Sequence, residues 1–495
     1  MSRMFGFATR GVHGNWRCNR RIVHPLTDQN GSAFWAVIAV LLVTSLLFST
    51  VVFYGAWHQT QNRRLLYETQ GQYLAIAALE TVRARLDGEG ASGEILAGEI
   101  LAGSLAGRRS WRAAIAPWGC YWRAVCTGKS HQFTHTIDAL IGRHPPADFN
   151  LALKLFGPPY PLVLAGESQI RGDVATGTAG VMAGRFRGRD RTDSVLVNGQ
   201  VVTTAQPRAP TLDWSVWNAF QDRIGQLRGS IPIRTDRTLI VDDTTRLTPG
   251  DSVIIVNAPV TVRRQHDLVT QTSTVILIAS GPVLIAGSTC IDARCAIISD
   301  RSIEVADSAR VSGVVLHAPR IVIRDAARFS GQALADTLLE VKDRAVTVFP
   351  SLLWVTGSRK SGAAPVLRLT SREPCAGIAG ISPGAGEIRN RSHQPPGELL
   401  VDAQSRWTGY LEVCGKAVIG GEVAGSVQAE LLGVEDPPTI YLNWLLDAVI
   451  DRKAWDGWAA LPAFAADAGS WTFAEFVSPR ASLEKRPESP GNSTP

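Results

Sequence analysis

The sequence predicts a mainly β protein: an N-terminal transmembrane α-helix with an amphipathic extension, followed by the coils of a parallel β-helix or solenoid. Three observations support this fold class. An uncharged apolar run covers residues 33–57, and a repeat of 18 residues recurs between residues 303 and 349. The composition is rich in Gly (46 residues) and Pro (27), with only seven Tyr and three Met. Glycine, proline and β-branched residues favour many short strands joined by turns.

Length and composition are those of an ordinary globular protein. The 495 residues suffice for two or three domains, and 45% of them are hydrophobic against 19% charged. Lys and Arg total 50, Asp and Glu total 44, and the net charge is +6. No long basic run that could follow a phosphate backbone accompanies this small excess. We therefore expect no nucleic-acid partner.

The apolar run from Ala33 to Trp57 contains 25 residues and no formal charge. A helix of that length rises about 37 Å, which is enough to cross a bilayer with some tilt. A cleaved secretory signal is one alternative, but its apolar region normally has only about 7–15 residues, and no A-x-A site follows here. A buried core helix is the other, and the length and hydrophobicity disfavour it. We predict a transmembrane helix over residues 32–57.

The charges that flank this segment predict its orientation. Several arginines precede it against the single acid Asp28, whereas Arg63 and Arg64 follow it. Because cytoplasmic flanks carry the excess of Lys and Arg, residues 1–31 are predicted to form a basic cytoplasmic leader. The protein would then lie in a bacterial inner membrane, with its body periplasmic or at the cell surface. The preceding arginines are Arg3, Arg10, Arg17, Arg20 and Arg21.

An amphipathic helix is predicted over residues 58–87, directly after the apolar segment. Its apolar side chains recur at near-helical spacing, which gives the helix one apolar face. They are Leu65, Leu66, Tyr73, Ile76, Leu79 and Leu86. The transmembrane helix and this extension are expected to form one continuous helix.

The basic leader, the Gly31-Ser32 junction and the apolar helix running into an amphipathic one resemble type IV pilins and pseudopilins over about residues 20–90. In those families a prepilin peptidase cuts after the glycine, which implies cleavage between Gly31 and Ser32. A Glu usually stands at the fifth position of the mature chain. Here that position is Ala36, as in pseudopilins at a filament tip, which also lack this acid. An uncleaved anchor is the alternative.

The seven cysteines divide at the predicted membrane, because Cys18 precedes it and the other six follow it. In an oxidising periplasm or at the cell surface, close pairs suggest small-loop disulfides, and the remaining two cysteines a longer loop. Six cysteines permit many pairings, so this connectivity is one of several. The predicted pairs are Cys120/Cys126, Cys290/Cys295 and Cys375/Cys414.

Cys126, His131 and His135 are the candidate metal ligands in the sequence. The two histidines are spaced by one helical turn, as ligands of a zinc site can be. No C-x2-C pair exists and no second helix supplies obvious further ligands. The preferred interpretation is surface or polar-core histidines beside a disulfide, and we predict no metal and no other cofactor.

The segment between the helix and the body is rich in glycine. Residues 88–107 contain GEILAGEILAGSLAG, which predicts a linker or hinge. Residues 108–230 are predicted to form a membrane-proximal β-rich module. Within this module, residues 207–229 are predicted to be a helical linker with four apolar residues on one face. These residues are Trp214, Trp217, Phe220 and Ile224.

The clearest repeat aligns IEVADSARVSG, IVIRDAARFSG and LEVKDRAVTVF, which start at Ile303, Ile321 and Leu339. A fixed period of this size predicts stacked coils whose Ile and Val residues build one continuous core. We predict a parallel β-helix over residues 231–350 and a second β region over residues 351–452. Three six-residue stretches per coil suit a triangular cross-section, as in bactofilins and other solenoid proteins that this stretch resembles.

Two segments are predicted beyond the coils. Thr439–Arg452 follows a Pro-Pro pair and has the spacing of an amphipathic helix with Thr439 as its N-cap, which would cap the open end of the β-helix. A membrane or partner contact through this helix is the alternative. Residues 453–495 form a tail that is predicted to be partly disordered, because its end is polar and rich in proline.

Asp307, Asp325 and Asp343 fall in register in the repeat and are the candidate site residues of the coils. In one interpretation each Asp occupies a turn, where its carboxylate bonds nearby backbone amides. In the other, the stacked carboxylates act on a polysaccharide or bind calcium, because glycoside hydrolysis needs carboxylates about 5–9.5 Å apart. The turn interpretation is preferred, since the sequence contains no G-x-S-x-G, H-E-x-x-H, Walker A or Rossmann motif.

The anchor, the WGCYW module and the VSGVVLHAPRIVIRD coils together resemble bacterial single-pass envelope proteins with a pilin-like start. This resemblance implies an envelope location and brings no activity with it. The sequence therefore predicts a non-enzymatic structural or adhesive envelope protein or a pilin-like assembly subunit. The expected partners are the membrane, copies of itself, pilus or secretion subunits, or a polysaccharide. A membrane-tethered β-helix enzyme acting on polysaccharide is the alternative.

Overall fold

The computed structural model describes residues 29–88, 100–105, 108–145, 147–191, 195–205, 209, 214–231, 239–242, 253–263, 275–292, 294–357, 363–382, 397–455, 462, 471–477 and 482–483. The chain divides into two compact units, Met1–Leu66 and Tyr67–Pro495. The predicted fold class is confirmed. The protein is mainly β, with one long apolar N-terminal helix and a body of parallel strands.

The helices and strands have the following bounds. The helices are α1 (Gln29–Gly88), α2 (Ser215–Ser230) and a short 3-10 helix (Ala147–Asn150). The strands are β1 (Ile100–Leu105), β2 (Arg109–Trp118), β3 (Tyr121–Ser130), β4 (Phe133–Arg143), β5 (Leu153–Leu155), β6 (Leu162–Ala165), β7 (Gln169–Arg171), β8 (Val174–Thr176), β9 (Val181–Ala183), β10 (Val197–Asn198), β11 (Val201–Thr203), β12 (Leu239–Asp242), β13 (Val253–Val256), β14 (Val260–Arg263), β15 (Val275–Ala279), β16 (Val283–Ile285), β17 (Cys290–Asp292), β18 (Cys295–Ser299), β19 (Ser302–Val305), β20 (Arg310–Ile323), β21 (Arg328–Asp343), β22 (Val346–Thr347), β23 (Leu352–Val355), β24 (Val366–Ser371), β25 (Cys375–Ile381), β26 (Gly397–Val401), β27 (Arg406–Ile419), β28 (Glu422–Asp436), β29 (Thr439–Leu442), β30 (Trp444–Leu446), β31 (Val449–Asp451), β32 (Trp471–Val477) and β33 (Ser482–Leu483).

The part of α1 that lies in the larger unit buries one face against an antiparallel sheet. Its buried residues form one core with apolar side chains of β2, β3 and β4. The helix and sheet approach closely, because a Cβ at Gly128 would lie 2.2 Å from the carbonyl oxygen of Gly71. The predicted amphipathic extension is helical and has one buried face, but Leu65, Leu66 and Tyr73, predicted on its apolar face, are exposed. The buried residues are Leu74, Ala75, Ala78, Leu79, Val82 and Leu86.

The antiparallel sheet has the order β1-β2-β3-β4-β32, and β33 also pairs with β4. Three of its members, β1, β32 and β33, lie in segments for which no strand was predicted. The linker predicted over 88–107 contains β1, which pairs with β2 along its whole length. The tail predicted as partly disordered over 453–495 contains β32 and β33. These strands form because their backbone groups hydrogen-bond to the edges of the sheet. Such bonds depend little on side chains, so a segment of Gly, Ala and polar residues shows no clear strand pattern.

The body is a solenoid whose strands pair in parallel from coil to coil. Strands β15, β16 and β17 pair with β18, β19 and β20, so each coil contributes three strands. The 18-residue repeat gives the true register, because Ile303 pairs with Ile321 and Ile321 with Leu339. The inward side chains of all coils form one continuous apolar core.

The coils do not stack in the order of the sequence. Strands β12 to β31 run from coil to coil, and β5 and β7 then pair with β28 and β31 of the last coil. Residues 153–203 therefore belong to the solenoid and not to a separate module over 108–230. The division predicted at residue 350 is also corrected, because β21 pairs with both β23 and β24 across it. The insertions between later coils break the period that would have shown this continuity.

Helix α2 (Ser215–Ser230) lies in the segment predicted as a helical linker over 207–229. Its buried side chains pack on the outward side of one solenoid face, in a core with Ile276, Ile298 and Trp354. Strands on this face are buried on both sides, so they read as unbroken apolar runs such as VILIA and LLWV. The predicted residues Trp214, Trp217, Phe220 and Ile224 are all buried.

The helix predicted over Thr439–Arg452 is wrong. This segment forms β29, β30 and β31, separated by turns in which Asn443 and Asp447 have φ values of 58° and 52°. Leu445 and Ile450 point into the solenoid core. Three short strands joined by left-handed turns four residues apart place apolar residues at spacings that also fit a helix, which explains the error. The segment forms the last sequential coil and does not cap it with a helix.

Three glycines stack in register where one solenoid face turns into the next. Gly377 pairs with Gly409 and Gly409 with Gly425 in three successive coils. Their φ values are 151°, 133° and 156°. A Cβ at Gly409 would lie 2.1 Å from the carbonyl oxygen of Gly377, and one at Gly425 would lie 1.8 Å from that of Gly409. Only glycine fits this column.

Gly409→Ala is expected to lower the free energy of unfolding by about 3 kcal/mol, because the methyl group meets a backbone oxygen at a φ that other residues avoid. Denaturant titration followed by circular dichroism measures the change. Gly229→Ala in α2 is the matched control, since a Cβ there meets nothing within 4 Å. The control should be neutral or slightly stabilising. Equal effects of the two substitutions would contradict the glycine column.

Candidate functional site

The apolar segment of α1 is the first candidate functional element. Nearly all of residues 33–57 are exposed, with Trp57 at 49% and Phe53 at 74%. Among the described helices it is the one with the length and composition to cross a membrane, and it fits either an anchor or a signal sequence. A surface this apolar needs lipid or protein to cover it. Gly31 and Ser32 lie within α1 at its N-terminal end, and Ala36 is exposed in the segment that follows.

Asp307, Asp325 and Asp343 occupy the same corner of three successive coils. Their φ values are 59°, 61° and 61°. The backbone amide of Asp307 donates to Oδ2 of Asp325 at 3.2 Å, and the amide of Asp325 lies 3.5 Å from Oδ2 of Asp343. In the preceding coil the corner residue is Gly287, with φ 75°, and its amide donates to Oδ2 of Asp307 at 2.7 Å.

This geometry favours the turn interpretation of the aspartate ladder. Asp tolerates the left-handed conformation, and its short side chain reaches the amide of the neighbouring corner. The carboxylate of Asp325 also accepts a hydrogen bond of 2.7 Å from Nη1 of Arg324. The carboxylates of Asp307 and Asp325 therefore bond the corner itself, and this arrangement gives no support to a catalytic pair or a calcium site.

Asp325→Ala is expected to lower the free energy of unfolding by about 1–2 kcal/mol, because it loses both the tolerance of positive φ and the acceptor for the Asp307 amide. Asp325→Asn keeps both features and should cost less than half as much. Denaturant titration at neutral pH compares the two variants. If Asn were as damaging as Ala, the negative charge and not the turn would be what the site requires.

The three predicted disulfides are not supported. Among the described cysteines, no two are bonded to each other. Cys120 lies in the core beneath α2, whereas Cys126 lies in the core between the sheet and α1. Cys295 points into the solenoid core, whereas Cys290 is half-buried and starts a different strand. Closeness in sequence did not predict a disulfide in these two pairs, because the two side chains of each pair have different surroundings.

The predicted Cys375/Cys414 pair fails because the two residues lie at opposite ends of paired strands. Cys375 is buried at the start of β25 and pairs with Trp407 of β27. Cys414 is half-buried and follows Val413, which pairs with Ile381 at the other end of β25. At about 3.3 Å per residue, this register separates the two cysteines by about 20 Å, whereas a disulfide needs Cα atoms within about 7 Å.

The cysteines therefore give no evidence about the redox compartment of the body. The predicted pairs were expected in an oxidising periplasm or at the cell surface, and the described cysteines form none of them. The seventh cysteine, Cys18, lies outside the described residues.

Burial raises the pKa of two of these thiols to about 12. For Cys295 the cause is burial alone, and for Cys126 it is burial first and then the nearby carboxylate of Asp138. The unfolded chain loses these protons at lower pH than the folded chain. Stability from the buried neutral thiols is therefore complete below the unfolded pKa and is lost as the pH rises toward about 12.

The free energy of unfolding is expected to fall above about pH 9, by about 1.4 kcal/mol per pH unit for each of these thiols. In the double variant Cys126→Ala/Cys295→Ala the decline with pH should be shallower, whatever the cost of the substitutions at pH 8. Denaturant titrations at several alkaline pH values measure the slope. An unchanged slope would rule the two thiols out as its source.

The candidate metal ligands Cys126, His131 and His135 have different surroundings. Cys126 is buried in the core against α1. His131 is the turn residue between β3 and β4, and its ring lies 4.1 Å from that of Tyr67. Burial lowers the pKa of His135. Within the described part of the chain no group of three or more His, Cys, Asp or Glu side chains could hold a metal ion.

The sequence analysis missed a polar cleft between α2 and the solenoid. Its volume is about 520 Å³. Nε2 of His317 lies 3.2 Å from Oδ1 of Asp336, and Nδ1 lies 3.2 Å from Nε2 of Gln221. Arg228 and Asp300 form an ion pair of 2.8 Å at the same cleft. The only signal in the sequence is one His within an apolar run, which is too common to predict a site.

The hydrogen bonds of His317 determine what this cleft can do. If Nε2 donates to Asp336, Nδ1 accepts from the amide group of Gln221, so both ring nitrogens are engaged. The ring of Trp217 also contacts the imidazole edge-on, at 5.0 Å between centroids. With both nitrogens held, the imidazole is poorly placed to take a proton from a bound molecule. His317 is better suited to fixing α2 on the solenoid.

Comparison with known proteins leaves the family of this chain open. No protein-family model and no curated protein matches it. It is similar to the competence-associated pilin ComZ from Thermus thermophilus, with 11% identity and a TM-score of 0.19 over 84% of this chain and 98% of that chain. It is also similar to an ice binding protein from an Antarctic bacterium Flavobacteriaceae, with 12% identity and a TM-score of 0.17 over 63% of this chain and 99% of that chain. At these TM-scores neither structure contributes to the argument about function, and the resemblance to bactofilins stays a prediction.

Proposed function

We propose that this protein is a non-enzymatic structural or adhesive component of the bacterial envelope, anchored by the apolar segment of α1. The observation that carries the proposal is the exposed apolar helix of residues 33–57 in the same chain as a solenoid filled by one continuous core. Contact of such a helix with lipid costs little free energy, whereas its exposure to water is unfavourable. A stacked solenoid is stiff along its axis, which suits a body that must hold a surface away from the membrane.

The charges around the anchor support an orientation with the N-terminus in the cytoplasm and the body in the periplasm or at the cell surface. The Gly31-Ser32 junction ahead of the apolar segment supports a more specific form of the proposal, in which the protein is a minor pilin or pseudopilin. In that form a prepilin peptidase releases the leader, and α1 packs with the helices of other subunits. In the simpler form the leader stays and α1 is a signal anchor.

The alternative function, a membrane-tethered β-helix enzyme acting on polysaccharide, depends on the stacked carboxylates of Asp307, Asp325 and Asp343. Glycoside hydrolysis needs one carboxyl group to donate a proton and another to attack or to activate water. Hydrogen bonds from backbone amides hold the carboxylates of Asp307 and Asp325 in the corner of the coils. This arrangement favours the structural proposal.

Leu42→Arg/Leu46→Arg is expected to release the protein from membranes, because each Arg near the middle of a membrane helix costs about 3 kcal/mol. Alkaline extraction of membranes from the native host, followed by immunoblotting, measures the retained fraction. Leu65→Arg/Leu66→Arg is the matched control, since these exposed residues lie beyond the apolar segment. Extraction of the wild-type protein itself would refute the anchor.

Two further measurements on the same membranes refine the proposal. Protease added to spheroplasts should digest the body if it lies outside the inner membrane, and protection of the body would reverse the orientation. The mass of the N-terminal peptide distinguishes the two forms of the anchor. A start at Ser32 means prepilin-type processing, and an intact leader means a signal anchor.

A further inference from the structure

A cluster of aromatic and arginine side chains lies on the outer side of the small sheet β30-β6-β9. The rings of Phe186, Tyr441 and Trp444 form its centre, with centroid distances of 5.4 Å from Phe186 to Tyr441, 5.1 Å from Tyr441 to Trp444 and 6.4 Å from Phe186 to Trp444. All three rings are half-buried and keep part of their surface in solvent. Together with Arg185 and Arg189, they are called here the aromatic–arginine surface.

The arginines are presented by a tight hairpin turn. Phe186 and Arg189 exchange backbone hydrogen bonds of 3.0 Å and 2.9 Å. Arg187 and Gly188 between them have φ values of 48° and 80°, as the two central residues of a type I′ turn do. The turn needs no partner to order it. Arg185 and Arg189 are exposed beside the rings.

Contacts between distant parts of the chain hold the surface together. Nε of Arg187 donates to Oδ2 of Asp436 at 3.1 Å, across 249 residues of sequence. This bond keeps the pKa of the Asp436 carboxyl below its usual range. The indole of Trp444 packs against Gly184, where a Cβ would lie 3.1 Å from two indole carbons. The rings are therefore fixed in place before any ligand arrives, which lowers the entropy cost of binding.

The surface combines a flat apolar part with paired charges. Met182 extends the apolar part, because its strand partner Val163 also pairs with Trp444, and it is 48% exposed. Arg185 forms an ion pair with Asp190, at 3.6 Å between Nε and Oδ1, and Arg187 bonds Asp436. Arg189 adds a third exposed arginine, which leaves a small positive excess. Aromatic rings stack on the apolar faces of sugar rings, arginine binds carboxylates in a bidentate manner, and carboxylates accept hydrogen bonds from hydroxyl groups.

We propose that the aromatic–arginine surface binds an anionic, uronic-acid-type polysaccharide. This inference rests on the proposed adhesive function and names its partner. Sugar rings stack on Tyr441 and Trp444, Arg185 and Arg189 bind sugar carboxylates, and Asp190 accepts hydrogen bonds from hydroxyl groups. A nucleic acid also stacks on aromatic rings, but it favours a uniformly positive track.

The test uses the full-length protein in lipid nanodiscs and three soluble probes: polygalacturonate, uncharged dextran of matched length, and a single-stranded poly-dT oligonucleotide. Wild-type protein should bind polygalacturonate at least about tenfold more tightly than dextran, the effect of a lost charge-assisted contact. Arg185→Ala/Arg189→Ala should remove this preference. Tyr441→Ala should weaken binding of polygalacturonate and dextran alike, because both stack on the ring.

Matched controls remove the same groups elsewhere. Arg223→Ala/Arg301→Ala removes two exposed arginines from another part of the larger unit, and Tyr73→Ala removes an exposed tyrosine from α1. Neither should change affinity for polygalacturonate. Thermal unfolding checks that each variant folds, and Arg185→Gln/Arg189→Gln and Tyr441→Leu replace any variant that does not.

Three outcomes would overturn the inference: no binding of polygalacturonate, an equal loss of affinity in the control variants, or tighter binding of poly-dT than of polygalacturonate. The last would identify a nucleic-acid surface. None of these outcomes bears on the proposed envelope function, which the membrane extraction tests. Conversely, if the wild-type protein were extracted from membranes yet bound polygalacturonate through this surface, the binding inference would survive and the anchor would not.

Discussion

Hydrogen bonding between successive coils is the constraint on which the rest of this structure depends. A solenoid strand finds its backbone partners only in the coil before and the coil after, so no coil is stable by itself. Stacking in register places like residues on top of each other, as with Ile303, Ile321 and Leu339. Each corner must also return the chain to the same level, and left-handed Asp and Gly residues there meet this requirement.

The same constraint explains why the chain does not wind once from end to end. The last sequential coil would expose unpaired strands, and β5 and β7 pair with it instead. The first coils in sequence thus cover the last, and no capping helix is needed at Thr439–Arg452. Helix α2 lies between the first coils and β12 in the sequence and covers one face of the solenoid, which accounts for the unbroken apolar strands VILIA and LLWV on that face.

The features that could be predicted from the sequence are those with a regular and extended pattern. The apolar run of α1 is long and uncharged, and the 18-residue repeat recurs in successive coils, so each pattern extends far enough to predict its element. The helix predicted around Asn443 and Asp447 was wrong because three short strands joined by left-handed turns place apolar residues at helical spacing. The predicted disulfide between Cys120 and Cys126 was wrong because a separation of six residues does not reveal that the two side chains lie in different cores. The contact between Arg187 and Asp436 spans 249 residues of sequence and forms only when the first and last coils pair. No local sequence pattern predicts it.

The packing of the coils and of α2 also determines which faces of the solenoid a partner can reach. The face beneath α2 is unavailable, because its outward residues are buried by the helix and by the β2–β3 turn, where Gln332 donates to the carbonyl oxygen of Trp118 at 3.0 Å. The aromatic–arginine surface lies on a different face and is built from the first and last coils together. It therefore forms only when the segment that carries β6 and β9 has paired with the segment that carries β30. This coupling places the aromatic–arginine surface on the junction between the first and last coils in the sequence.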